Sequence, residues 1–404
     1  MPEFSEKKLE LISKKMQSFC DIGFYNDMAW EVGTSCSGKR KIIFKDFLGK
    51  SDVRASEDSI WRIFSMTKPI VTIAALKLIE EGKLRLFDHV SRFLPKFKNP
   101  KILKIINNNE KYFDAYSPMT IFHLLTHTSG LSYGFLPDNI ASIYRSKEIL
   151  LHSSVSLEDE VENISSCPSL FEPGSKWNYS VSTDILAYII ECAADMELED
   201  VLENYLFKEI GIKDISFKID EPKILNLMTC YGDVDIFSKD LAIRNTDIFS
   251  NNPSLKEVNL YNTYPTNDSK FRRGGHGLFS TLDDYSTFAF FLLQKSNLIL
   301  SRKSFELMLT DHTKSEMKPL GINNIFKPSP GLDGDGFGLG FRVRGSGSGS
   351  LLFGSVGEFG WAGAAETMFF VDPIEEFYVV FMAQNLDQPG ASALFKQMIY
   401  SAVI

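Results

Sequence analysis

A serine hydroxyl becomes a nucleophile when a base removes its proton. A lysine one helical turn away can do this if its surroundings depress a pKa that is ordinarily about 10.4. Ser65 and Lys68, in Ser65-Met66-Thr67-Lys68, have that spacing. The i,i+3 relation puts both side chains on one helix face, and a serine at a helix start sits where backbone N–H groups can hold an oxyanion. The alternative is a plain N-cap serine. The pattern Ser-x-x-Lys also occurs at Ser5/Lys8 and Ser315/Lys318, so context must decide between the three. Ser5 lies in a charged tail and Ser315 in a polar stretch. Ser65 follows the apolar run Ile60-Trp61-Arg62-Ile63-Phe64 and opens an apolar helix.

Three further segments follow in order: Leu124-Leu125-Thr126-His127-Thr128-Ser129-Gly130-Leu131, then Phe171-Glu172-Pro173-Gly174 with Trp177 and Tyr179-Ser180, then Gly360-Trp361-Ala362-Gly363-Ala364-Ala365. With Ile63-Phe64-Ser65-Met66-Thr67-Lys68-Pro69 they resemble the successive signatures of the class C β-lactamase-like serine hydrolases, in particular the family VIII carboxylesterase branch, over about residues 54–395. The resemblance implies a β-lactamase/transpeptidase-like α+β fold and makes Ser65 the acylated nucleophile, Lys68 its activator and Tyr179 the proton shuttle. A tyrosine beside a lysine ammonium is biased toward phenolate, a base able to take the serine proton and return it to the leaving group. The resemblance also implies that the backbone N–H groups of Ser65 and Ala364 form the oxyanion hole, each worth about 2.7–4 kcal/mol, and that Trp361 and Gly363 border the acyl pocket. Two departures bear on substrate. Where the family has Tyr-x-Asn this chain has Tyr179-Ser180-Val181, and where β-lactamases carry Lys-Thr-Gly it has Trp361-Ala362-Gly363. Losing an amide and a cation removes partners for a β-lactam's side chain and carboxylate and favours a neutral, apolar ester. A β-lactamase, D-aminopeptidase or acyltransferase would use the same nucleophile. A catalytically silent ligand-binding relative would have no need of all three polar groups.

Other chemistry-bearing patterns are weaker. Gly130-Leu131-Ser132-Tyr133-Gly134 matches Gly-x-Ser-x-Gly, but that elbow needs a strand before and a helix after, whereas a helical pattern precedes it and a loop follows. Tyr133, on that loop, is expected to line the pocket. His123 and His127 stand i,i+4, yet no Glu follows the first and no third ligand accompanies them, so capping or packing is expected and no metal site. His276, in Gly274-Gly275-His276-Gly277, is expected to support the site from outside it, in a glycine-rich strand entry.

These residues need elements to hold them. Leu9, Ile12, Met16 and Phe19 recur at helical spacing. Residues 28–34, 41–48 and 60–64 read as antiparallel strands, and Val71, Ala75, Leu78 and Ile79 mark a helix ending at Gly82. Residues 182–184 offer capping oxygens to the next apolar helix, and Gly211 would cap a helix over 198–210. Strands are expected again at 338–344, 351–356, 366–371 and 376–384, with 345–350 a flexible hairpin tip, before a closing helix from about Ala391. Residues 1–106 and 273–404 would then form one α/β body, an antiparallel sheet flanked by helices. Residues 107–272 would form a mostly helical insertion, with the active site between the two.

Bulk properties agree with an enzyme-sized folded chain. Of 404 residues 44% are hydrophobic and 24% charged, with 33 Phe and 14 Tyr for the core. A net charge of −9 works against nucleic acid or an anionic membrane as partner. No run approaches the roughly 20 apolar residues of a membrane span. The five cysteines are odd in number and widely spaced, which reads as reduced thiols, mostly buried. Residues 1–21 lack the apolar stretch of a secretory signal. The expectation is therefore a cytoplasmic protein, periplasmic if a leader has been lost, acting on a small-molecule ester or amide with no cofactor. Nothing in the sequence specifies an oligomer.

Overall fold

In the computed structural model, every residue is described except 1, 51–54, 234, 238–247, 249–252, 254, 269, 319–334 and 346–352. Helix α1 (Glu6–Ile22) buries Leu9, Ile12, Met16 and Phe19, the expected stripe, and stops at Gly23 with φ 101°. Strands β1 (Asp27–Cys36) and β2 (Lys39–Gly49) pair antiparallel through a two-residue turn in which Ser37 and Gly38 both have positive φ, the geometry that matches the twist of a hairpin. Strand β3 (Ile60–Arg62) then runs through a 3₁₀ turn, Phe64–Met66, into α2 (Thr67–Glu80). The stop at Gly82 holds: with φ 73°, it donates its N–H to Ile79 O.

The middle of the chain begins with hairpin β4 (Lys101–Ile106) and β5 (Asn109–Asp114), which pair antiparallel with each other in a sheet of their own. Helices follow: α3 (Ile121–Leu125), α4 (Asn139–Ser146), α5 (Leu157–Ser165), α6 (Ser182–Ala194), α7 (Leu198–Leu202) and α8 (Lys208–Ile210). Thr120, Asp138 and Ser156 cap α3, α4 and α5 with side-chain oxygens. The single helix expected over 198–210 is interrupted by a π-helical turn at Glu203–Phe207, a wider coil inserted before the Gly211 stop.

The last part holds β6 (Phe279–Thr281), α9 (Leu282–Gln294), α10 (Arg302–Met308), β7 (Gly336–Phe337), β8 (Arg342–Val343), β9 (Phe359–Ala362), β10 (Met368–Asp372), β11 (Phe377–Ala383) and α11 (Ala391–Ala402). Seven strands from the two ends of the chain form one antiparallel sheet in the order β2-β1-β11-β10-β9-β8-β7. Helices α1 and α11 cover one face with their own apolar cluster, and α9 lies on the other. There the larger core continues without a break into the helices of the middle segment.

Some strand expectations need correction. β3 does not join β1 and β2 but pairs with β6, which brings residues 60–62 beside 279–281. Only Arg342–Val343 of 338–344 is strand, because Gly338 N–H bonds to Phe341 O across a tight turn holding Gly340 at φ 74°. Residues 353–356 are not strand: Gly354 and Gly357 take positive φ, and the strand begins at Phe359. Most of the expected hairpin tip, residues 346–350, lies outside the described residues. All five cysteines are unpaired, with Cys20, Cys167 and Cys230 buried, Cys36 half-buried and Cys192 exposed.

Candidate active site

The turn that presents Ser65 is strained and tightly held. Phe64 sits at φ 44°, a region that costs a bulky residue about 1–2 kcal/mol. Packing against Tyr264, with ring centroids 5.0 Å apart, holds it there. Around it, Ile63 N–H bonds to Leu278 O at 3.2 Å, Leu278 N–H to Thr67 Oγ1 at 3.1 Å, and Tyr285 OH to Met66 O at 2.9 Å. The residues between Ser65 and Lys68 thus tie the first turn of α2 to the β3–β6 ladder.

Both polar partners expected for Ser65 meet it. Tyr179 OH donates to Ser65 Oγ at 2.7 Å, and Lys68 Nζ lies 3.1 Å from the same atom. Lys68 Nζ also donates to Gly275 O at 2.6 Å and sits 4.7 Å from the centre of the Tyr179 ring and 5.2 Å from that of Tyr133. Burial lowers its pKa to about 7, with Asp184 pulling the other way.

The expected phenolate does not follow. Burial pushes the Tyr179 phenol above its ordinary range, and the Ser65 and Trp361 side chains oppose this too weakly to offset it. Lys68 lies over the face of the Tyr179 ring, and the phenol's hydrogen bond goes to Ser65. The amine is therefore the group poised near neutral pH, and the phenol keeps its proton.

The segments flanking Tyr179 explain the Leu124–Leu131 motif. Asn178 N–H bonds to His127 O at 2.9 Å, Asn178 Nδ2 to Leu131 O at 2.9 Å, Val181 N–H to Ser132 O at 3.1 Å, and Gly174 N–H to Thr128 O at 2.7 Å. The motif is a backbone rail along which the Tyr179 segment is pinned. His123 completes a capping box with Thr120, and His127 Nδ1 pairs with Ser180 Oγ at 3.1 Å while its ring packs 4.9 Å from Tyr179. Ser132 is buried and bonds to Asp138 Oδ2 at 2.6 Å, away from Ser65 and Lys68. The other two Ser-x-x-Lys serines fall elsewhere: Ser5 precedes α1, and Ser315 lies on an outer 3₁₀ turn whose Lys318 pairs with Asp311.

Opposite Tyr179 is the turn after β9. Gly363 N–H bonds to Thr367 O at 2.7 Å, and a side chain on Gly363 would come within 2.5 Å of Ile63 O. This turn therefore rests directly on the Ser65 turn. The N–H groups of Ser65 and Ala364 have no acceptor among the described residues. Trp361, Gly363, Ala364, Tyr133, Tyr179 and Ser65 all border one cavity. Trp361 packs 5.6 Å from Tyr179, and Tyr133 stacks on Phe135 at 4.7 Å. Tyr133 OH and Trp361 Nε1 are buried with no hydrogen-bond partner of normal geometry among the described residues.

Several site residues were not read from the sequence. His276 does not stay outside: its ring borders the cavity, 4.3 Å from that of Phe237, and burial holds it far below its ordinary pKa and so neutral. The Ser182-Thr183-Asp184 cap is also corrected. α6 has no side-chain cap; Ser182 Oγ pairs with Ser129 and Ser180, and Asp184 Oδ1 accepts from Gly275 N–H at 2.9 Å. An Asp near a helix start looks like a cap in any sequence, and only the β3–β6 pairing brings residues 273–277 to it. No group of three or more acidic, His or Cys side chains arranged to hold a metal occurs among the described residues.

The sequence profile of the beta-lactamase family matches residues 36–398. Protein Rv1367c of Mycobacterium tuberculosis is 28% identical over 92% of this chain and 88% of its own length. Esterase EstB of Burkholderia gladioli is 33% identical over 45% of this chain and 46% of its own length. Among solved structures, EstCE1, described as a hydrolase with promiscuous acyltransferase activity, superimposes with a TM-score of 0.78 at 23% identity over 98% of this chain and 97% of its own, which shows a shared β-lactamase/transpeptidase-like fold.

Proposed function

The chain belongs to the beta-lactamase family, and from that premise we propose that it is a serine hydrolase that cleaves carboxylic esters through an acyl-enzyme on Ser65. The observation that carries this reading is the convergence of Tyr179 OH and Lys68 Nζ on one hydroxyl, at 2.7 and 3.1 Å. The esterase named among its relatives accords with it.

In the proposed cycle the neutral Lys68 amine takes the Ser65 proton as Oγ bonds to the acyl carbon. The ester carbonyl becomes an oxyanion held by the N–H groups of Ser65 and Ala364. When the C–O bond breaks, the leaving alkoxide takes the Tyr179 proton, and the Lys68 ammonium restores it. Water then attacks the acyl-enzyme with the same groups in reverse and releases the acid. The wall of Trp361, Tyr133, Phe135 and Phe237 supplies apolar contact for a neutral substrate, and the two cations that also border the cavity, Arg342 and Lys396, are already paired with Glu358. We further propose that residues 1–106 and 273–404 act as one body and 107–272 as a second, each contributing one side of the site. Five unpaired thiols fit a reducing, cytoplasmic setting.

Hydrolysis of p-nitrophenyl butyrate by Ser65→Ala is the test. A loss of at least about 10³-fold in kcat is expected, with fluorophosphonate labelling of the wild type mapped to Ser65 by mass spectrometry. Activity within a few-fold of wild type would refute the nucleophile. Nitrocefin turned over faster than short-chain esters would move the reading to a β-lactamase.

A further inference from the structure

The residues that hold Lys68 in place are not themselves part of the proposed reaction. Its Nζ rests on Gly275 O at 2.6 Å, and the N–H of that same residue bonds to Asp184 Oδ1 at 2.9 Å. Gly275 belongs to a turn in which Gly277 N–H and His276 N–H return to Arg273 O. The turn is pressed onto α6 so closely that a side chain on Gly274 would come within 2.5 Å of Thr183 O, and one on Gly275 within 2.5 Å of Asp184 Oδ2 and 2.7 Å of Tyr133 OH. Asp184 is fully buried, and its Oδ2 has no partner among the described residues. A buried carboxyl with an unused oxygen costs several kcal/mol if charged, so its retention beside the amine calls for a reason.

We propose that Asp184 is the positioning residue of the general base: by gripping Gly275 N–H it fixes the carbonyl on which Lys68 rests, and its carboxyl sets the electrostatic field at Nζ. The inference builds on the assignment of Lys68 as base. The other groups facing Nζ are Tyr133 and Tyr179 through their rings, with His127 and His276, both kept neutral by burial, and Arg273 nearby. Arg273 is engaged by Glu160 at 3.5 Å. Asp184 is thus the acidic group opposing the burial that lowers the Lys68 pKa.

The test uses two variants and a readout independent of substrate class, the pH dependence of fluorophosphonate labelling of Ser65, alongside kcat and KM for p-nitrophenyl butyrate. Asp184→Asn keeps an oxygen for Gly275 N–H but removes the carboxylate. Its labelling profile should rise at a pH lower by about one unit, with kcat above pH 8 within a few-fold of wild type. Asp184→Ala loses the grip as well, and its kcat should fall at least about tenfold with KM little changed. An Asn profile superimposed on wild type would overturn the proposal even if the Ala variant fails to fold, since the isosteric variant carries the charge test. Wild-type protein that is not labelled at Ser65 would overturn the reading of Ser65 and Lys68, and this inference with it.

Discussion

At the scale of single residues, burying an amine among aromatic rings sets desolvation against the contacts left to the charged form. For Lys68 desolvation wins by enough to bring the pKa to about 7. The sign follows directly. Below that value the ammonium has no lone pair for the Ser65 proton, and above it the free amine does. Measured as kcat/KM for p-nitrophenyl butyrate, activity should therefore rise with pH through about 7 and level off. Lys68→Arg, which stays protonated throughout, should lose at least about 10³-fold at every pH. A wild-type profile flat from pH 5.5 to 9 would sink the assignment. Ser65 and Lys68 could be read in the sequence because their chemistry depends on a local spacing. The state of Tyr179 could not, because the depth of burial that keeps its proton on needs Trp361 and His127, which arrive from two distant stretches of chain to join the neighbouring Trp177.

Elements, rather than residues, decide whether the oxyanion donors are in place. Most of the elements were legible from periodicity and capping: α1, α2, β1, β2, β10, β11 and α11 all fall close to the expected residues. What escaped were strands of two or three residues, such as β6 and β7, whose pairing rests on distant partners, and the glycine turns around them. The turn after β9 bears on function because it has almost no clearance. A side chain on Gly363 would come within 2.5 Å of Ile63 O and would also collide with Thr367 Oγ1. Gly363→Ala should push Ala364 away from Ser65 while leaving Lys68 and Tyr179 where they are. The expected result is a fall of about 10²-fold in kcat, comparable to losing one oxyanion donor, with KM changed by no more than a few-fold. Since the amine and phenol are untouched, the pH at which activity rises should not move. A variant with unchanged kcat would mean that the Ala364 N–H does not serve the transition state.

Across the whole molecule, the strand that carries Trp361 is fastened to the closing helix by buried charge. Glu358, just before β9, pairs with Arg342 of β8 and with Lys396 of α11 at 2.6 Å, and accepts from Tyr400 OH at 2.6 Å; Arg342 also meets Asp335 at 2.8 Å. Arg342 and Lys396 border the same cavity as Ser65, so this network forms part of its wall. Although burial disfavours its charge, the two cations hold the Glu358 carboxyl down at about 2. A depressed carboxyl stabilises the fold above its ordinary pKa of 4.5, and that contribution disappears only as pH falls through about 2. Glu358→Gln removes the anion between two buried cations: Arg342 keeps Asp335, but Lys396 is left without its carboxylate partner, which should cost about 3–5 kcal/mol. The urea midpoint followed by tryptophan fluorescence at pH 7 should drop accordingly. Because the group is screened from solvent, the drop should persist in 1 M salt, where an exposed pair would show none. Below the variant's own transition the Ser65 site is intact, so kcat should stay within a few-fold of wild type. A midpoint equal to wild type would mean that the hydrogen bonds alone, which glutamine can keep, fasten β9 to α11.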